Sequence, residues 1–181
     1  MGYGIVLYPD PATEEAVREV WQALAAAGVD SSMADGVIRP HVTLAISDHV
    51  ELAALKEATA RFAAARQPCR LTLSHIGLFP TAEGVLFYGV TLTHTLLEVH
   101  GEYSRIFAWH ARQPYAYYRV GAWVPHCTLA TGLAPAQFGE AIAIARRAAL
   151  PLYGSAHQLG LIHIADEGNE SLDVFQLGNP A

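Results

Sequence analysis

Apolar and polar positions along this chain switch between a strand-like alternation and a helix-like repeat, and the switches mark out its elements. YGIVLY (3–8) is apolar, rich in β-formers and stopped by PDP, which predicts a strand. From Glu14 to Ala27 the residues Val17, Val20, Trp21 and Leu24 recur at helical spacing, with Thr13 as the expected N-cap and Gly28 as the stop. PHVTLAI (40–46) predicts a second strand, and a helix follows from about Val50 to Ala65 with Leu52, Leu55 and Phe62 on one side. RLTLSHIGLF (70–79) and GVLFYGVTLT (84–93) flank the turn PTAE as a hairpin. Leu96 to His110 is a third helix, a Tyr-rich stretch PYAYYRVGAW (114–123) leads into PHCTLAT (125–131), and a helix spans about Pro135 to Ala149. SAHQLGLIHIAD and SLDVFQLG, on either side of EGNE, form a second hairpin.

The order is therefore βαβαββ and then αβαββ, and the halves echo each other. Displaced by 85 residues, from His41 to His126, GVIRPHVTLAIS aligns with GAWVPHCTLATG at six of twelve positions. Hairpins alternating with helices imply an α+β fold. Residues 1–181 are expected to form a single bilobal domain with pseudo-two-fold symmetry, two antiparallel β-sheets lining a central cleft and helices on the outer faces.

Strand alternation says what each copy of the repeat presents. His41, Thr43 and Ala45 are expected to share one face and Val42, Leu44 and Ile46 the other; in the second copy His126, Thr128 and Ala130 oppose Cys127, Leu129 and Thr131. The apolar face belongs under helices. The other carries an imidazole, a hydroxyl and a small residue twice over, which suits a cleft. Pro40 and Pro125, tolerated where a strand begins, set where each histidine emerges.

Composition narrows the partners. A net charge of −6 and the absence of a basic run argue against coating long DNA or RNA, because such binding rests on neutralising phosphates. A small phosphate-bearing substrate in a local pocket stays open. Ten of the eleven basic residues are arginines, which suits phosphate recognition and equally suits a bias in genomic base composition. No apolar run is long enough to span a bilayer, the start lacks a basic segment ahead of its apolar residues, and Val6 stands where a myristoylation pattern wants Ser or Thr. With only Cys69 and Cys127 there is no disulfide framework, and a reducing cytoplasm is the expected compartment.

Two histidines across a cleft offer what one cannot. One imidazole can take a proton from an attacking water or hydroxyl while the other protonates the departing oxygen, and the threonine hydroxyls can hold the oxygens of a phosphoryl group between them. Other chemistries fit less well. There is no HExxH, CxxC or P-loop, so no metal site and no cofactor are expected. Cys127 faces away from His126 and reads as packing.

The paired PHVTL and PHCTL, half a chain apart in a protein of this size, resemble the 2H (two-histidine) phosphoesterase superfamily, which includes 2′-5′ RNA ligase-like proteins and cyclic nucleotide phosphodiesterases. The resemblance implies metal-independent opening or formation of cyclic or 2′-5′ phosphodiester linkages, with His41 and His126 as the acid/base pair and Thr43 and Thr128 as phosphate ligands. Some RNA-processing members carry a basic residue just after the motif, where this chain has Ile46 and Thr131. That departure and the acidic balance favour hydrolysis of a small nucleotide or a short RNA end. RNA ligation and non-catalytic binding of a nucleotide or RNA end are the alternatives. On the substrate side, Arg39 shares strand parity with His41. Tyr115, Tyr117, Tyr118, Arg119 and Trp123 crowd before the second motif, as base-stacking groups or as the surface of a sheet. No membrane partner is expected, and a monomer is.

Overall fold

The computed structural model describes residues 2–30, 32–165 and 168–178. Its elements are β1 (Gly2–Pro9), α1 (Pro11–Ala26), α2 (Ser32–Asp35), β2 (Val42–Ser47), β3 (His49–Val50), α3 (Leu52–Ala64), β4 (Cys69–Phe79), β5 (Val85–Val90) and α4 (His94–His110). They continue as β6 (Ala111–Arg112), a 3-10 turn at Ala116–Tyr118, β7 (His126–Ala130), α5 (Phe138–Ala145), β8 (Leu152–Ile164) and β9 (Glu170–Gln176). The expected strand end at Asp166 and the EGNE turn at Glu167 fall outside the described residues.

Where boundaries differ from the sequence pattern, a local hydrogen bond is the reason. The N-cap of α1 is Asp10, not Thr13: the Thr13 amide donates to Asp10 Oδ1 at 3.0 Å, and Pro11 occupies the first turn, where its missing N–H costs nothing. Val50, the expected first residue of the second helix, instead pairs with Ala111 in a short strand with His49, which pairs with Arg112. Residues 134–137 form a turn, with the Ala134 amide donating to Gln137 Oε1 at 2.9 Å, so α5 starts only at Phe138.

The strands of the main sheet run β2-β1-β8-β4-β5-β7, with β9 also on β8, and every pairing is antiparallel. The long β8 serves both lobes. Its C-terminal part pairs with β1 and β9, and its first residues pair with β4. One lobe is thus β2-β1-β8-β9 and the other β7-β5-β4-β8. Each lobe takes strands from both halves of the chain, because the β4–β5 hairpin serves the second motif strand and the β8–β9 hairpin the first. Helices α1 and α5 back the β7 lobe, while α3 and α4 back the β2 lobe. The main core runs continuously through Ile5, Leu7, Leu44, Leu86, Tyr88 and Leu129, all at most 1% exposed. Val6 and Tyr8, on the opposite face of β1, join a smaller cluster with Ile38 and Ile162.

The two motif strands share an irregularity. On β2, Thr43 lies opposite Val6 and Ala45 opposite Ile5, so Leu44 is an extra residue; on β7, Thr128 lies opposite Phe87 and Ala130 opposite Leu86, so Leu129 is. These are β-bulges, and a bulge reverses the alternation that follows it. Ala45 and Ala130 consequently face the core, where they are 4% and 0% exposed, instead of sharing the face of Thr43 and Thr128 as strict alternation predicts.

Candidate active site

Each motif fixes its histidine in the same way. His41 Nδ1 lies 2.7 Å from the carbonyl of Arg39, and His126 Nδ1 lies 2.7 Å from the carbonyl of Val124, two residues back in both cases. A carbonyl only accepts, so Nδ1 carries the proton and donates, which leaves Nε2 as the unprotonated nitrogen of each ring, without a hydrogen-bond partner among the described residues. Burial pushes both imidazoles below the ordinary histidine range. The carbonyl partners oppose that shift, and for His41 the positive charge of a protonated His126 adds to it. Two neutral rings that repel each other's second proton hold one proton between them more readily than two.

The threonines follow two residues on, on the faces of Val6 and Phe87. Thr43 is opposite Val6 of the smaller cluster and is nearly buried, while Thr128 is opposite Phe87 and half-buried. Tyr118, at the end of the 3-10 turn, brings its hydroxyl to the Thr43 side chain, and burial holds that phenol protonated, its pKa pushed up to about 12. Behind the floor, the Cys127 sulfur faces the backbone amide of His41, and burial raises its thiol to about 12, so it stays a packed thiol.

The walls differ. Beside His126 stand Phe79 and Phe87, with ring centroids 4.9 and 5.1 Å from the imidazole. Phe87 lies over Gly77 of the neighbouring strand, and His75 lies over Gly89, the residue directly opposite His126. In the other lobe Tyr8 lies over Gly160, and the Arg39 guanidinium stacks on it at 4.2 Å. Arg39 is committed elsewhere as well: it donates to Glu14 Oε2 at 2.8 and 3.0 Å and to Gln158 Oε1 at 2.9 Å. The structure therefore makes it part of one wall, paired and one-third exposed, and not a free cation aimed between the rings.

Of the remaining candidates, Tyr115 donates its hydroxyl to Asp48 at 2.7 Å, and Tyr117 stands 67% exposed between Tyr115 and Tyr118. Arg119 is exposed and donates to the Pro114 carbonyl at 3.5 Å. Trp123 turns inward: it is 8% exposed, stacked on His100 at 4.0 Å, and has no open face for a base. The residues missed by the sequence pattern are the aromatic wall and His75. Their signal was the glycines inside β4 and β5, which mark close approach by a neighbour.

Elsewhere, a hollow of about 370 Å³ lined by His49, Glu51, Trp109 and Arg112 lies at the far end of β2, away from both motifs. Among the described residues no group of three or more His, Cys, Asp or Glu is arranged to hold a metal ion, and no helix is long and apolar enough to cross a membrane.

Paired imidazole–threonine strands set across a duplicated α+β fold are the architecture of the 2H phosphoesterases. The chain belongs to the 2′-5′ RNA ligase superfamily, whose profile matches residues 7–168. Its fold is similar to that of TT0787 from Thermus thermophilus, over 100% of both chains with a TM-score of 0.66 and 18% identity. Escherichia coli LigT complexed with NADP+ aligns over 98% of both chains with a TM-score of 0.61 and 15% identity. LigT complexed with 3′-AMP aligns over 97% of this chain and 96% of that one, with a TM-score of 0.59 and 16% identity. No curated protein matches the chain.

Proposed function

We propose that this protein is a metal-independent phosphodiesterase that hydrolyses a cyclic phosphate or 2′-5′ linkage of a nucleotide or short RNA end. The observation that carries the proposal is the matched pair of Nδ1 anchors, which leaves a free Nε2 on each of His41 and His126 beside a threonine hydroxyl. One Nε2 takes a proton from water as its oxygen attacks phosphorus. The other, protonated, gives its proton to the departing ribose oxygen as the P–O bond breaks. Thr43 and Thr128 hydrogen-bond the non-bridging oxygens that gather charge in between. Either ring can take either role, and the side from which water attacks decides.

A small substrate fits the net charge of −6 and the aromatic wall beside His126. It also fits the LigT structures complexed with 3′-AMP, ATP and phosphate. The test is turnover of a panel of 2′,3′-cyclic nucleotides and 2′-5′-linked dinucleotides in the presence of EDTA, with His41→Ala and His126→Ala alongside. Each positioned acid or base contributes roughly 10²- to 10⁴-fold, so either variant is expected to lose that much. Loss of turnover on adding EDTA sinks the metal-free mechanism. Binding without turnover across the panel makes the protein a nucleotide-binding module, and joining of RNA ends without hydrolysis makes it a ligase.

A further inference from the structure

Strands β2 and β7 end the main sheet on either side, and among the described residues their outer edges do not pair with one another. Unpaired strand edges need partners, and here the partners are exchanged between the halves of the chain. The outer edge of β2 is covered by the segment that leads into the second motif: the Tyr115 amide donates to the Ile46 carbonyl at 2.9 Å. Just past the end of β7, the segment that leads toward the first motif makes the matching contact: the Thr131 amide donates to Asp30 Oδ2 at 2.9 Å. At the centre of each edge stands an indole. Trp21 Nε1 donates to the carbonyl of Thr128 at 3.0 Å, and Trp123 Nε1 donates to the carbonyl of Thr43 at 2.9 Å.

The two acceptors are the backbone carbonyls of the two motif threonines. The two donors are not related by the repeat, since Trp21 belongs to α1 and Trp123 stands three residues before His126. The same contact has thus been made twice from unrelated positions. Both indoles are buried, at 2% and 8% exposure, and Trp123 is held face to face with His100, whose ring nitrogen bonds the Tyr118 carbonyl at 2.9 Å. Had the strands paired directly, they would lie at ordinary ladder spacing of about 4.8 Å. An indole occupies the edge instead and satisfies the carbonyl that a ladder would have used.

We infer that Trp21 and Trp123 are positioning residues that brace the two motif strands reciprocally, each indole N–H fixing the threonine of the opposite motif at the separation that admits one phosphoryl group between His41 and His126. The inference rests on the phosphoesterase reading for its kinetic consequence only. Small misplacements of reacting groups carry large rate penalties, so the brace acts on the rate of the bound complex more than on its formation.

The test replaces tryptophan by β-(3-benzothienyl)alanine, which keeps the bicyclic shape and removes the N–H, in a Trp109→Phe background; Trp109 is 84% exposed and outside both edges. Trp21→Phe and Trp123→Phe in the same background separate the two contacts. The expected result is a fall in kcat of about tenfold with KM within about twofold, and a pH–rate profile of unchanged shape, whatever the change in Tm. The Thr128 carbonyl ¹³C resonance should move in the Trp21 variant and that of Thr43 in the Trp123 variant. A lowered Tm with kcat unchanged, or carbonyl resonances that stay in place, overturns the inference. If the unaltered protein turns over nothing, the phosphoesterase reading fails. The brace is then read from the carbonyl resonances alone: it stands if those of Thr128 and Thr43 move in their respective variants and falls if they stay in place.

Discussion

Leu44 and Leu129, 85 residues apart in sequence, are each the extra residue of a bulge placed just after the threonine of a motif. A strict strand would carry the face of the histidine and threonine onward to the alanine. The bulge ends that face after two side chains and returns the strand to the core, where Ala45 and Ala130 pack. The candidate histidine and threonine of each strand are thus set apart from the alanine that follows, and in the first copy their face is taken up again only at Ile46, opposite Gly4.

Enlarging these alanines tests the bulges directly. Ala45→Leu and Ala130→Leu each add volume to a close-packed interior and are expected to destabilise the protein by about 1–3 kcal/mol in denaturant unfolding. KM of the folded fraction should be unchanged. Were the alanines in the cleft, the same substitutions would leave stability nearly intact and raise KM.

Much of this was legible in the sequence because duplication advertises itself: His41, Thr43, His126 and Thr128 repeat with their neighbours, and hydrophobic periodicity located the long helices and hairpins. What was not legible depends on contacts between distant segments. A bulge is a relation between two strands, so nothing in VTLAI alone shows that Leu44 is extra. Arg39 had the right parity, but Glu14, 25 residues earlier, takes its guanidinium. Trp21 looked like one more apolar position on α1, and its N–H acquires a purpose only when β7 folds against that helix.

The wall beside His126 depends on two glycines that differ in how replaceable they are. A Cβ at Gly77 would run into the ring of Phe87, which is 4% exposed and itself packs Phe79 and His126; a Cβ at Gly89 would meet the exposed ring of His75. His75 can swing into solvent and Phe87 cannot. Gly77→Ala is expected to cost roughly 1–3 kcal/mol through overpacking and to lower activity by tilting His126, whereas Gly89→Ala should cost under about half of that. Paired unfolding and rate measurements on the two variants check the order, and equal costs would refute the account of the wall.

Acid should unfold this protein earlier than its carboxylates alone would require. His41, His126 and His100 all have folded pKa values pushed below the usual value near 6.5, chiefly by burial. Below that pH the unfolded chain binds protons that the folded chain resists, so stability is complete above about 6.5 and falls as pH drops through the folded values. Asparagine can keep the donor to the preceding carbonyl without titrating. His41→Asn and His126→Asn should therefore show a shallower loss of stability between neutral and acid pH, read from denaturant midpoints across that range; an unchanged slope would show that these rings do not drive it.

The same shifts set the sign of the pH–rate profile. Hydrolysis needs one imidazole neutral and the other protonated, so rate follows the population of the pair that holds a single proton. With both rings lowered, that population peaks on the acid side of about 6.5 and declines toward pH 8, the falling limb approaching tenfold per unit. His41 carries a further depression from the charge of His126, which His126→Asn removes. In that variant the His41 ring should titrate at higher pH than in the unaltered protein, followed by its imidazole resonances, while catalysis by the pair is lost. A His41 titration that stays in place would mean that the two rings do not sense each other across the cleft, and the shared-proton mechanism would fail with it.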